Sequence, residues 1–179
     1  MALNNVFVGA HGTLGIAVEG TPAQQADFAA VNDAYTTAIV GRVTEAEVCV
    51  RTELEEFYEI GARDVATIAA GNVHITGSIG RAYINGALLF LLLGRGALEK
   101  DKTSIQPRFV LNLILRDPHL PDNALKVNVF GVNFETWGFR LPQEGFVMEQ
   151  VRFKAARIGV LDREAGKDVS VAFPTLPTS

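Results

Sequence analysis

The sequence holds a single cysteine, Cys49, so no disulfide can close within the chain. A reducing cytoplasm is therefore the setting expected for folding. Long apolar runs are missing as well. The longest, Ala87 to Leu93, is far shorter than the roughly 20 residues that a membrane-spanning helix requires, and no membrane partner is expected. Met1 to Asn5 has neither the basic stretch nor the apolar stretch of a secretion signal. Charge is scarce at 20% of residues while 48% are apolar, which excludes a disordered chain. A net charge of -4 argues against a tight binder of phosphate backbones, which needs clustered Lys and Arg. No repeat or low-complexity tract marks a boundary. One domain over residues 1–179 is expected, with tails at 1–4 and 174–179.

Catalytic signatures are also lacking. His11, His74 and His119 are scattered, with no H-x-H, HExxH or CxxC spacing beside them, so no metal or cofactor is expected. Gly9, Gly12 and Gly15 have the wrong spacing for a dinucleotide fingerprint and lack the Gly-Lys-Ser/Thr of a phosphate loop. They read better as relief for a tightly paired strand. Cys49 lies between Val48 and Val50 and reads as a packed or interfacial residue. Two acidic groups, Glu45/Glu47 and Glu53/Glu55/Glu56, have same-face spacings of about 7 Å, within the range glycosidases use. Such an enzyme also needs a cleft and sugar-stacking aromatics, and the single Trp137 belongs to another strand. A charged, solvated strand face explains these acids more simply, and the expectation is a protein without enzymatic activity.

What the sequence does contain is strands. Thr44 to Leu54 alternates with period two, with Ala46, Val48, Val50 and Leu54 on one face and Glu45, Glu47, Cys49, Arg51 and Glu53 on the other. Val65 to Ala70 is a second strand, which Gly71-Asn72 is expected to turn into a third. On that third strand Val73, Ile75 and Ile79 face one way, His74, Thr76 and Ser78 the other. Arg108 to Arg116 places Phe109, Leu111, Leu113 and Leu115 on one face. Lys126 to Phe139 places Phe130, Val132, Phe134 and Thr136 together. Phe146 to Val160 reads as one unusually long strand, either bent or reaching beyond its own domain, in which Val147, Val151, Phe153 and Ala155 alternate with Met148, Gln150, Arg152 and Lys154.

One helix is expected, Gly86 to Leu93, with Asn85 as its cap and Gly94 just past its end. Its apolar surface all round requires cover on most sides. Loops are expected at 19–37, 95–106 and 117–124, the first long enough to carry function. Charge is distributed unevenly: residues 1–64 carry ten acidic and three basic groups, the remainder ten and thirteen. Regions of opposite sign can register copies of one chain against each other.

Glu59-Ile60-Gly61-Ala62-Arg63, followed by Ile75-Thr76-Gly77-Ser78-Ile79-Gly80-Arg81-Ala82, resembles the tail tube proteins of bacteriophages. So do Val132-Asn133-Phe134-Glu135-Thr136-Trp137-Gly138-Phe139 and Phe146-Val147-Met148-Glu149-Gln150-Val151-Arg152-Phe153-Lys154-Ala155, and the similarity spans roughly residues 44–161. The resemblance implies a mainly β fold, an antiparallel sandwich or barrel-like domain with one short flanking helix. It further implies six copies in a ring whose strands join into one inner barrel, and rings stacked into a hollow tube that guides double-stranded DNA without binding it specifically. Sheath, tape-measure, baseplate and tail-terminator proteins are the implied partners, the virion tail the implied location, and the host cytoplasm the place of assembly. Tubes of contractile injection systems share the fold.

A strand with one apolar and one charged face fits that scheme if the charged side lines a water-filled channel. The candidate lining residues are Glu45, Glu47, Arg51 and Glu53, then His74, Thr76 and Ser78, then Gln150, Arg152 and Lys154. The loop at 19–37 is the candidate for contact between rings. The alternatives are a lipocalin-like carrier with an apolar barrel interior, and an enzyme built on the acidic strand.

Overall fold

Strands with one apolar face must bury it, and this chain does so by bending a single antiparallel sheet onto itself. The computed structural model describes residues 7, 9–19, 22, 25, 29, 43–82, 87–93, 106–164 and 167–170. After a 3-10 turn at Gly9–His11 come β1 (Gly12–Glu19), β2 (Val43–Tyr58), β3 (Val65–Arg81), helix α1 (Ala87–Leu93), β4 (Arg108–Asp117) and β5 (Leu120–Arg140). Strands β6 (Met148–Ala155), β7 (Arg157–Glu164) and β8 (Lys167–Ser170) follow. The pairing order is β1-β4-β5-β6-β3-β2, with β7 on β5 and β8 on β7. The sheet therefore has two arms that share β5: β1-β4-β5-β7-β8 and β5-β6-β3-β2.

The inner faces of both arms supply one core. Leu14, Ile16, Phe109, Leu111 and Val129 come from the first arm, and Val132, Phe134, Val151, Phe153, Ile75 and Ile79 from the second. The rings of Phe109 and Phe134 stack at 4.9 Å. Leu88 of α1 is buried against this core, with Leu92 half-buried beside it. The amide of Gln106 fixes the helix in place, donating to the carbonyls of Leu92 (2.8 Å) and Phe134 (3.1 Å). The architecture is the mainly antiparallel β domain with a short flanking helix that the resemblance implies. Asn85, Gly94 and 95–105 lie outside the described residues, as do both tails.

The bend sits at Gly131. The register of β5 against β4 slips between Val129 and Val132, so Phe130-Gly131 forms a bulge, and Gly131 takes a φ of +62°. Opposite it Ala156 separates β6 from β7 and donates its N–H to the Phe130 carbonyl at 3.1 Å. A Cβ on Gly131 would lie 2.9 Å from that of Ala156. The N–H of Gly131 donates to Glu19 Oε2 at 3.0 Å, and Arg157 sits with its guanidinium over the Phe130 ring.

Two expectations are corrected here. The long strand expected from Phe146 to Val160 is two strands, broken at Ala156. The face expected to hold Phe130, Val132, Phe134 and Thr136 is also split, because each bulge reverses the alternation. Val129 and Val132 point inward on either side of the first bulge, leaving Phe130 outside. A second register shift, between Phe134 and Thr136, turns Trp137 toward the core and Thr136 away from it.

Two turns are corrected as well. Gly71-Asn72 is not a hairpin connection but a bulge within β3, where the two residues lie opposite Glu53. A Gly-Asn pair suits a bulge as readily as a turn. The chain reverses instead at 59–64, where Gly61 has a φ of +89° and the Ala62 N–H donates to the Glu59 carbonyl at 3.1 Å. The loop expected at 117–124 shrinks to Pro118-His119, with the Asp117 carboxylate accepting from the His119 N–H at 2.9 Å. Of the segment 19–37, Glu19 ends β1 and Pro22, Gln25 and Ala29 are helical; the rest lies outside the described residues.

Gly77 has a packing reason. It pairs with Phe153 across the β3–β6 ladder, and the phenyl ring lies over it. A Cβ there would meet the Glu47 carbonyl oxygen at 2.2 Å and the ring at 2.4 Å. Gly77→Ala is expected to destabilise the domain by about 3 kcal/mol, the upper end for overpacking, as a lowered midpoint in chemical denaturation. An unchanged midpoint would show that the ring can move aside.

Candidate functional site

The four-stranded arm β5-β6-β3-β2 brings the ten predicted lining residues onto one face. Cross-strand register aligns Glu45 with Gly80, Gln150 and Gly138. The next row is Glu47, Ser78, Arg152 and Thr136, and the one after it Cys49, Thr76, Lys154 and Asn133. Arg51 then pairs with His74, and the His74 Nε2 lies 2.9 Å from Glu53 Oε1. Because side chains alternate along a strand, this face is the opposite of the one that carries Ile75, Ile79, Val151 and Phe153 into the core.

Polar groups of both signs interleave on this surface. The hydrogen bond from His74 holds the Glu53 carboxyl below its ordinary pKa, assisted by the charge of the imidazole. Lys154 pairs with Glu135 at 2.7 Å, an acid that sequence reasoning left out because the bulge in β5 hides its direction. Glu45, Glu47, Glu53 and Glu135 thus face Arg51, Arg152 and Lys154, so basic groups are not in excess. Gly80 and Gly138 leave a bare strip, part of an open depression of about 560 Å³ that Gln150 and Arg152 also line. Cys49, expected to be packed or interfacial, is exposed on this same face of the isolated chain.

Behind the face lies a buried ion pair that the sequence did not reveal. Arg81 and Glu149 are 2% and 0% exposed, adjacent across β3 and β6. Glu149 accepts from Arg81 Nε with one oxygen and from the Trp137 indole N–H with the other. The alternation along Phe146–Ala155 does place Glu149 among inward-facing residues, and that was the available signal.

The most unusual feature of the arm is where it ends. Beyond the row Val50–Ile75–Ala155, β6 stops and β5 bends away, while β2 and β3 continue as a bare two-stranded ribbon. The ribbon runs on for roughly 25 Å at about 3.3 Å per residue. One of its faces continues the core side and is largely apolar, with Val50, Leu54, Ile68 and Val73 all exposed beside Thr52 and Glu56. An isolated two-stranded ribbon is at best marginally stable in water. The outer edge of β2 has no strand partner among the described residues, and neither has the far edge of β5 over 133–140.

His11, His74 and His119 remain apart, on the 3-10 turn, on β3 and in the β4–β5 turn. Among the described residues no three His, Cys, Asp or Glu side chains gather as metal ligands.

No family model and no curated protein matches the chain. Solved structures do. A chain of the anti-feeding prophage tube-terminating cap superposes with a TM-score of 0.58 at 8% identity, covering 89% of this chain and 93% of that one. A chain of that particle's baseplate gives 0.58 at 13% identity, covering 89% and 97%. A chain of the sheath–tube complex of an extracellular contractile injection system gives 0.55 at 9%, covering 89% and 93%. This chain has the tube-protein fold. Within the tube-protein fold, the polar sheet face, the two open edges and the projecting ribbon are the features left without an internal role.

Proposed function

We propose that the chain is a structural, non-enzymatic tube subunit that closes a ring with copies of itself and builds a tail tube through which double-stranded DNA passes. The observation that carries this reading is the pair of open edges on the four-stranded arm. β2 and β5 border opposite sides of that arm and run antiparallel to one another, as the alternating order β5-β6-β3-β2 requires. A copy related by rotation brings its β5 edge against β2 and continues the sheet antiparallel. Repeated around a ring, this removes both free edges of the arm; six copies is the number the sequence resemblance implies. The polar face then becomes the lining of the channel, with Glu45, Glu47, Arg51, Glu53, His74, Thr76, Ser78, Gln150, Arg152 and Lys154 in contact with water. A lining without a basic excess lets a duplex slide, since no cluster of cations gains by releasing its counterions. The apolar face of the ribbon is covered by the neighbouring copy. Sheath, baseplate, terminator and tape-measure proteins are the proposed partners, and the virion tail the proposed location. The same geometry suits the tube of a contractile injection system.

The lipocalin-like alternative fits less well, because the inner face of the sheet is filled by aliphatic and aromatic side chains. Cys49 provides a direct test, as the only thiol and a member of the polar face. Assembled particles labelled at Cys49 with a maleimide gold cluster are expected to show the metal inside the channel in cross-section. Gold on the outer wall would reverse the assignment of the faces.

A further inference from the structure

We infer that a single strand register joins one copy to the next, with Arg140 opposite the next copy's Glu47 and Thr136 opposite its Arg51; this rests on the tube reading above. The Phe134 carbonyl already accepts from the Gln106 amide, and Gln106 leads into β4, which borders that same side of β5. The stretch of β5 left open is therefore 136–140. The outer edge of β2 has no strand partner among the described residues. Side chains alternate along both strands, so the polar faces coincide only in registers that differ by two residues. Phe139 then lies opposite Ala46, Val48 or Val50, and the choice among these follows from tilt and charge.

Tilt comes first. Within one arm the row of paired residues runs Phe139–Glu149–Arg81–Val43. If Phe139 meets Val48 of the next copy, the sheet steps along β2 from Val43 through 45, 46 and 47 to Val48. That is four places for each four-stranded arm, because Thr44 is the extra residue of a bulge. At about 3.3 Å per residue and about 4.8 Å between strands, the step tilts the strands by about 35°, whatever the number of copies. Closed barrels tilt by roughly 35–45°. A step of two, with Phe139 opposite Ala46, gives only about 19°; a step of six, opposite Val50, gives about 46°. Charge separates the two steeper registers. In the step of four Arg140 faces Glu47, and Glu135, bulged beside Thr136, adjoins Arg51. In the step of six Arg140 faces Cys49 and Glu135 adjoins Glu53, a like-charge contact that costs stability. The step of four also sets Phe139, half-exposed in the single copy, against Val48, a favourable aromatic–β-branched pair. Gly138 then lies opposite Cys49.

That last pairing supplies the test, because Cys49 is the only thiol. A Cβ on Gly138 meets no atom within 4 Å, so Gly138→Cys fits its own fold. Directly opposed residues of antiparallel strands have Cα atoms about 4.5–5.5 Å apart, within disulfide reach, and a slip of two residues carries them out of it. Assembled particles are oxidised with diamide, which takes up the two thiol hydrogens, and run on a non-reducing gel. Gly138→Cys is expected to give a ladder of covalent oligomers that a reductant collapses. Thr136→Cys and Arg140→Cys, which read the steps of two and six, are expected to run as single chains. A ladder from either of these in place of Gly138→Cys would overturn the register while leaving the ring reading intact. No ladder from any of the three, in particles that microscopy shows to be rings, would overturn it too and move the contact off these edges. An unaltered chain that never forms rings would remove the tube reading and this register with it.

Discussion

A chain carrying Leu54→Lys and Ile68→Lys is expected to stay folded and to lose the ability to assemble. Both side chains sit on the apolar face of the bare ribbon and are exposed in the single subunit, Leu54 at 64% and Ile68 at 58%. Surface substitutions of this kind shift stability by about 0.5 kcal/mol or less. In the proposed ring the same residues are covered. Withdrawing two buried aliphatic side chains weakens each contact by about 3–6 kcal/mol, at about 1.5–3 kcal/mol apiece. That corresponds to a loss of affinity above about 100-fold per interface. Sedimentation velocity is expected to show a monomer where the unaltered chain shows a large particle. A melting point lowered by many degrees would instead place the two residues against their own domain.

The second large effect concerns stability. Glu149→Ala removes the carboxylate that serves both Arg81 and the Trp137 indole inside the domain. Breaking one side of a buried ion pair costs about 3–5 kcal/mol, because the remaining charge has no route back to water. For a chain of this size the melting temperature is expected to fall by about 10 °C. Replacing both partners, Arg81→Met with Glu149→Leu, is expected to restore most of the loss, since apolar side chains of similar volume often do as well as the pair. If the single substitution alone leaves the melting temperature unchanged, the pair has no structural role.

The sequence was most legible where alternation runs unbroken. The faces of β2 from Thr44 to Leu54 and of β3 from Val73 to Ile79 follow directly from period two, and all ten proposed lining residues lie on one surface because those strands are neighbours. Legibility failed at single extra residues. The Phe130-Gly131 bulge and the shift before Thr136 each reverse a face; Gly131 inside the strand was the one sign of the first, and nothing in the run marks the second. Gly71-Asn72 misled for a related reason: the residues that permit a turn also permit a bulge. The segment 117–124 read as a loop, yet the chain reverses over two residues. The glycines at 12 and 15 were read as part of a paired strand, β1, without its bounds, and β8 was missed, being too short for a period to be counted. The open edges of β2 and β5 were not visible either, because an edge is a property of strand order rather than of any one strand.

That incompleteness is the central physical claim: the four-stranded arm has the polar face, the bare ribbon and the free edges of one sector of a larger closed sheet. Electron microscopy of the purified, unlabelled chain tests it most directly. End-on views are expected to show rings of one diameter with a solvent-filled centre, and side views stacks of those rings. Uniform single subunits at high protein concentration, with no ring in any view, would contradict it.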